Sequence, residues 1–270
     1  MLLALLLLAL AQTAADVPPL PPLRTVAEDR LALCLGKART DPATAIAEAS
    51  EWANEASGPD ASYPQQCLGL AYTALLRWEA AERAFLAARD VAAPDDKFRR
   101  AQLGTMAGNA ALAGERAAVA LAVLDVAAGD AEADGDAGLR AIVEIDRARA
   151  QVLQGDEAAA EATLALARTL DPQSPFAWLL SATLARRLGK LGEAQGFIAT
   201  AATLAPDHLE TGLEAGVIAM LAGREAAAAQ SWNSVVALAP ASDEAASARA
   251  YLAQLGEPAP QPAAPEAAGR

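Results

Sequence analysis

Two cysteines, one histidine and a short acidic stretch are the residues of this chain whose chemistry goes beyond packing. Cys34 and Cys67 stand 33 residues apart. As a pair they can be oxidised to a disulfide, or they can serve as two small buried apolar residues. His208 follows Pro206-Asp207, where a helix start and a surface position are expected. It has no second histidine, and neither cysteine stands at a metal-ligand spacing from it. Between Gly129 and Gly138, Asp130, Glu132, Asp134 and Gly135 match the opening of a calcium-binding loop. Ala141 stands where the closing bidentate glutamate would be, so a solvated acidic loop is the expectation. No serine sits in a nucleophile elbow, and no glycine-rich loop follows a strand. An acid, a base and a nucleophile cannot be assembled into a set. The residues therefore predict a chain that is not an enzyme and takes no cofactor or metal.

The elements that must position these residues follow from a period. Pro172, Pro206 and Pro240 are 34 residues apart, and Gly155, Gly189 and Gly223 keep the same spacing. Such a period predicts stacked helical hairpins, with the glycine in one turn and the proline in the next. Five residues after each glycine stand Ala160, Ala194 and Ala228. Leu164, Ile198 and Trp232 follow at nine, and Ala167, Ala201 and Val235 at twelve. Those offsets lie on one face of a helix, so each second helix carries an apolar stripe with a small residue near its start. Gly114 heads Val119, Val123 and Val126 at the same offsets, which predicts the same stripe there. Gly114 to Gly155 is seven residues longer than the period, and the excess is assigned to the loop 129–138.

The chain resembles the tetratricopeptide-repeat family at Leu68-Gly69, Tyr72, Ala81, Phe85, Ala88 and Pro94, and again at Trp178. The later repeats replace the Leu-Gly pair by Ser181-Ala182 and Ala215-Gly216. The resemblance implies an all-α, right-handed solenoid of about six hairpins over residues 25–256. Ser242 as a cap, with Gly256 and Pro258 as stops, predicts a last helix to about Leu255 that covers the end of the stack. It also implies a concave groove lined by the first helices. Groove-facing positions would then include Tyr63, Gln66, Leu70, Arg149, Phe176, Thr183, Arg186, Arg187, Glu210 and Met220. The Lys/Asn set by which some relatives clamp a peptide carboxylate is absent. Arg149, Arg186 and Arg187 can pair with acidic groups of a ligand, or can simply be surface arginines of an acidic chain. By their phase in the repeat, Cys34 and Cys67 fall on the first helices of neighbouring hairpins, where a bridge and two buried thiols both remain open.

The ends have their own compositions. The apolar run Leu2–Leu10, followed by Ala11–Ala15, predicts a secretory signal peptide over 1–15, cleaved after Ala15, and hence a periplasmic or otherwise exported protein. Uncleaved, that segment is the one expected membrane attachment. Residues 16–24 read as a Pro-rich extended leader and 257–270 as a disordered Ala/Pro-rich tail. A net charge of −13 disfavours nucleic acid and favours a neutral or basic protein or peptide partner. The expected function is a scaffold or adaptor for a cell-envelope complex. The alternative is a carrier of a cell-wall or other non-protein ligand for an enzyme. With 4 % aromatic residues the chain is poor in platforms for a glycan, which favours the scaffold. The sequence leaves the oligomeric state open.

Overall fold

The computed structural model describes residues 24–255. The segments expected to be a signal peptide, a leader (apart from Arg24) and a tail lie outside these residues. Among the described residues thirteen α-helices follow one another, with one 3-10 turn at Gly58–Ala61. They pair as α1 (Val26–Thr40) with α2 (Pro42–Glu55), α3 (Ser62–Ala74) with α4 (Trp78–Val91), and α5 (Lys97–Ala113) with α6 (Ala117–Asp134). Then come α7 (Ala137–Gln154) with α8 (Glu157–Leu170), α9 (Pro175–Arg187) with α10 (Leu191–Leu204), and α11 (Leu209–Leu221) with α12 (Glu225–Leu238). The last helix, α13 (Asp243–Leu255), packs on α11 and α12 and closes that end of the stack. The expectation of six hairpins and a capping helix holds.

Five of the six hairpins turn in the same way. A left-handed residue ends the first helix, and the next residue donates its N–H to the carbonyl five places back. These bonds are Arg77 to Tyr72, Arg116 to Ala111, Asp156 to Gln151, Lys190 to Ala185 and Arg224 to Ala219, all 2.8–2.9 Å. Gly155, Gly189 and Gly223 take the left-handed place at φ 72–80°. In the second and third hairpins Leu76 and Glu115 take it, at φ 56° and 59°. A side chain there costs roughly 1–2 kcal/mol, which the packing of the two helices must offset.

That detail corrects the reading of α6. Counted from Glu115 rather than Gly114, the offsets five, nine and twelve fall on Ala120, Leu124 and Ala127, all fully buried. Val119 and Val126 are exposed instead, with Val123 half-buried between them. Counted from Leu76, the same offsets reach Ala81, Phe85 and Ala88, again core.

The expected acidic loop is also corrected. The residues from Gly129 to Asp134 continue α6, and only Gly135 and Asp136 separate it from α7. The seven extra residues lengthen the helices: α6 and α7 have 18 residues each, against 14 in α8 and 13 in α9. Asp130 is not solvated. It is buried against Arg89 at 2.5 Å, Lys97 at 3.3 Å and Arg100 at 3.8 Å. Three cations from α4 and α5 neutralise a carboxylate that would otherwise be costly to bury, so it belongs to the packing and not to a calcium loop.

Cys34 and Cys67 form a disulfide, with Cα atoms 6.0 Å apart. It joins α1 to α3, the first helices of neighbouring hairpins, as their phase implies. Both cysteines are buried.

Candidate functional site

First helices pack side by side: α1 on α3, α5 on α7, α7 on α9, α9 on α11 and α11 on α13. No two second helices make comparable contact among the described residues. Helices that stay close line the inside of a curve and those that splay apart line the outside, so the first helices form the concave face. Between α3 and α5 a side chain spans the gap. Arg99 donates to Ser62 Oγ and to Gln66 Oε1, each at 3.0 Å, and its guanidinium lies 4.1 Å from the Tyr63 ring centre. Gln66 is therefore a buried strut of the groove wall rather than a free amide. Tyr63 is half-buried beneath Arg99, and Leu70 is half-buried beyond it.

The 34-residue period carries the concave face from helix to helix in rows. Ile142, Phe176 and Glu210 form one row, and Asp146, Leu180 and Glu214 the next. Arg149, Thr183 and Val217 form a third, and Leu153, Arg187 and Leu221 a fourth. Within a helix these positions are spaced four, three and four, which keeps them on one face. Four of the apolar members are more than half exposed: Ile142 at 53 %, Leu153 at 61 %, Phe176 at 52 % and Leu221 at 55 %. The groove positions expected from the sequence include Phe176, Thr183 and Arg187 but omit Ile142, Leu153 and Leu221. Stepping 34 residues from Phe176 or Arg187 reaches each of the three.

The arginines expected to meet a ligand are partly committed inside the protein. Arg186 donates through Nε to Glu214 Oε1 at 2.6 Å and is mostly covered. It ties α9 to α11 and is not free for a ligand. Arg149 donates through Nη1 to Asp146 Oδ1 at 2.9 Å and to Asn109 Oδ1 at 3.1 Å. Asn109 Nδ2 in turn donates to Asp146 Oδ2 at 2.6 Å. Burial pushes the Asp146 carboxyl above the usual carboxylate range, opposed by Arg149 and Asn109. Arg187 makes one long ion pair, to Glu157 at 3.8 Å. Arg149 and Arg187 side chains stay about half exposed, at 49 % and 48 %.

At the far end of the groove His208 is half-buried rather than on the open surface. It caps α11, its Nδ1 accepting from the Thr211 N–H at 3.3 Å, and it meets the edge of Phe176 with ring centres 5.2 Å apart. Glu210 is exposed and Met220 partly so. Among the described residues no group of three His, Cys, Asp or Glu side chains converges as a metal site would. No helix of the described residues is long and apolar enough to cross a membrane.

No protein-family model matches the chain, and no curated protein matches it in sequence. Solved structures do. The crystal structure of PilW, a widely conserved type IV pilus biogenesis factor, superposes with a TM-score of 0.66 at 21 % identity, over 85 % of this chain and 100 % of PilW. PilF of Pseudomonas aeruginosa gives 0.63 at 16 % identity, over 84 % of this chain and 97 % of PilF. TTC0263, a thermophilic TPR protein of Thermus thermophilus, gives 0.58 at 18 % identity, over 71 % of this chain and 99 % of that one. With its repeated turn, its lateral stack of first helices and these likenesses, the chain has the tetratricopeptide-repeat fold.

Proposed function

We propose that this protein is an exported scaffold that holds a segment of a partner protein in its concave groove and thereby assists assembly of a cell-envelope complex. The carrying observation is the exposed apolar side chains in two rows of the first helices, Ile142 with Phe176 in one and Leu153 with Leu221 in the other. Large apolar side chains left on a preformed concave face lose water when a partner covers them, and a rigid groove gives up little entropy on binding. Binding involves no covalent step. The disulfide is compatible with an oxidising compartment, and the likeness to a type IV pilus biogenesis factor makes pilus-type assembly the first pathway to test. The overall charge of −13 steers a neutral or basic partner toward the surface.

The test is affinity capture from the cell-envelope fraction with wild type and with an Ile142→Ser, Phe176→Ser double variant. Both side chains are about half exposed, so the variant is expected to fold, which its circular dichroism checks. A partner held by wild type and lost by the variant supports the groove; the same partner held equally by both removes it.

A further inference from the structure

A hollow of about 260 Å³ opens between α7 and α9 on the concave face. Its floor is Leu164 of α8 with Ala148 and Leu184, all buried, and its rim carries Leu153, Arg149 and Arg187. An apolar cavity of about 150 Å³ takes up benzene, so a leucine or phenylalanine side chain is within this one's capacity. The charged residues that line it are two arginines, and no acid lines it. Each is paired behind the rim, Arg149 with Asp146 and Arg187 with Glu157, so the mouth of the hollow is close to neutral in a chain of net charge −13.

Arg149 is also held ready. Arg149 spends only Nη1 on Asp146 and Asn109, which fixes its direction and leaves Nη2 and Nε without a hydrogen bond among the described residues. Arg187 makes no hydrogen bond among them. The Arg149 guanidinium, already oriented by the buried Asp146 carboxylate, loses little freedom when it takes up a second carboxylate, and Arg187 adds donors that no hydrogen bond occupies.

We propose that this hollow anchors a partner segment in which a bulky aliphatic or aromatic residue stands beside an Asp or Glu. The side chain fills the apolar floor and the carboxylate takes the free donors of Arg149 and Arg187. The proposal rests on the groove reading above. It places a single acidic residue within a partner that is neutral or basic as a whole, because the field of the rest of the chain opposes an acidic one.

The experiment is an array of short peptides on the full chain, each made with an amidated and with a free C-terminus. Peptides that bind wild type should be enriched in a bulky apolar residue next to Asp or Glu, whichever C-terminus they carry. Changing that acid to its amide should weaken binding about tenfold, in line with one charge-assisted contact. Arg187→Ala leaves no buried group unpaired, and Arg149→Gln keeps a donor for Asp146. Each should cause a similar loss for the acidic peptide and little for its amide. Peptides with no acid preference, lost by Ile142→Ser but not by the arginine variants, would overturn this subsite and keep the groove. Binding only by free C-terminal acids would overturn the internal acid. No binding peptide at all would count against both the subsite and the groove.

Discussion

Reducing the Cys34–Cys67 bridge is expected to cost about 4 kcal/mol. The bridge closes a loop of 33 residues' separation, and the chain-entropy model assigns roughly that stabilisation to a loop of this length. The loss should not spread evenly. In a solenoid each hairpin is held mainly by its neighbours, and the first has a neighbour on one side only among the described residues. The disulfide ties α1 of that hairpin to α3 of the second. Urea unfolding followed by circular dichroism, with and without reductant, measures the total. Amide hydrogen exchange locates it: α1 and α2 should exchange faster after reduction, while α9 to α12 keep their protection. A Cys34→Ala, Cys67→Ala variant should behave like the reduced protein. An unchanged midpoint would remove the bridge from the stability of the fold.

A single methyl group at Gly216 should cost about 2–3 kcal/mol, at the upper end for overpacking. An added Cβ would stand 2.1 Å from Trp232 Nε1 and 2.5 Å from its Cδ1. The indole is buried and donates to the Leu213 carbonyl at 3.1 Å, so it cannot step aside without losing that bond. The same pairing recurs sixteen residues apart in other hairpins. Gly69 faces Phe85, and Gly108 faces Leu124, with Cβ clashes at 2.4 and 2.5 Å. At the same separation Ala148 accompanies Leu164 and Ala182 accompanies Ile198, each pair sharing a core cluster. In the hairpins that share the left-handed turn, a small residue on the first helix thus matches a large one on the second, and the aromatic partners Phe85 and Trp232 both face glycine. Combining Gly216→Ala with Trp232→Leu copies the Ala148–Leu164 pair. A double-mutant cycle should give a favourable coupling of about 1–3 kcal/mol. Strictly additive costs would contradict the size match.

The C-terminal half was legible because two residue types marked the same period. From Gly155 onward each left-handed turn is a glycine, so offsets of five, nine and twelve led to the core. In the third hairpin the turn is made by Glu115, and a reading keyed to glycine slipped by one residue and exchanged Val119 for Ala120. The acidic stretch failed for another reason. Its composition is that of a loop, but Asp130 is drawn inward by Arg89, Lys97 and Arg100, which lie 30 to 41 residues earlier in the chain. A local window does not contain those partners. The groove positions followed from the period. What each side chain does there did not, because Arg186 is claimed by Glu214 on the next first helix and Gln66 by Arg99 two helices on.

Site-specific photo-crosslinking tests the groove most directly. A photoreactive residue would replace Ile142 or Phe176 on the concave face, or Val126 or Leu238 on the second helices. All four side chains are exposed, so the fold tolerates the change. Irradiated in the cell envelope, the two concave positions should capture one common partner and the two outer positions should not. Capture of that partner from Val126 or Leu238, with none from Ile142 or Phe176, would contradict a groove that binds.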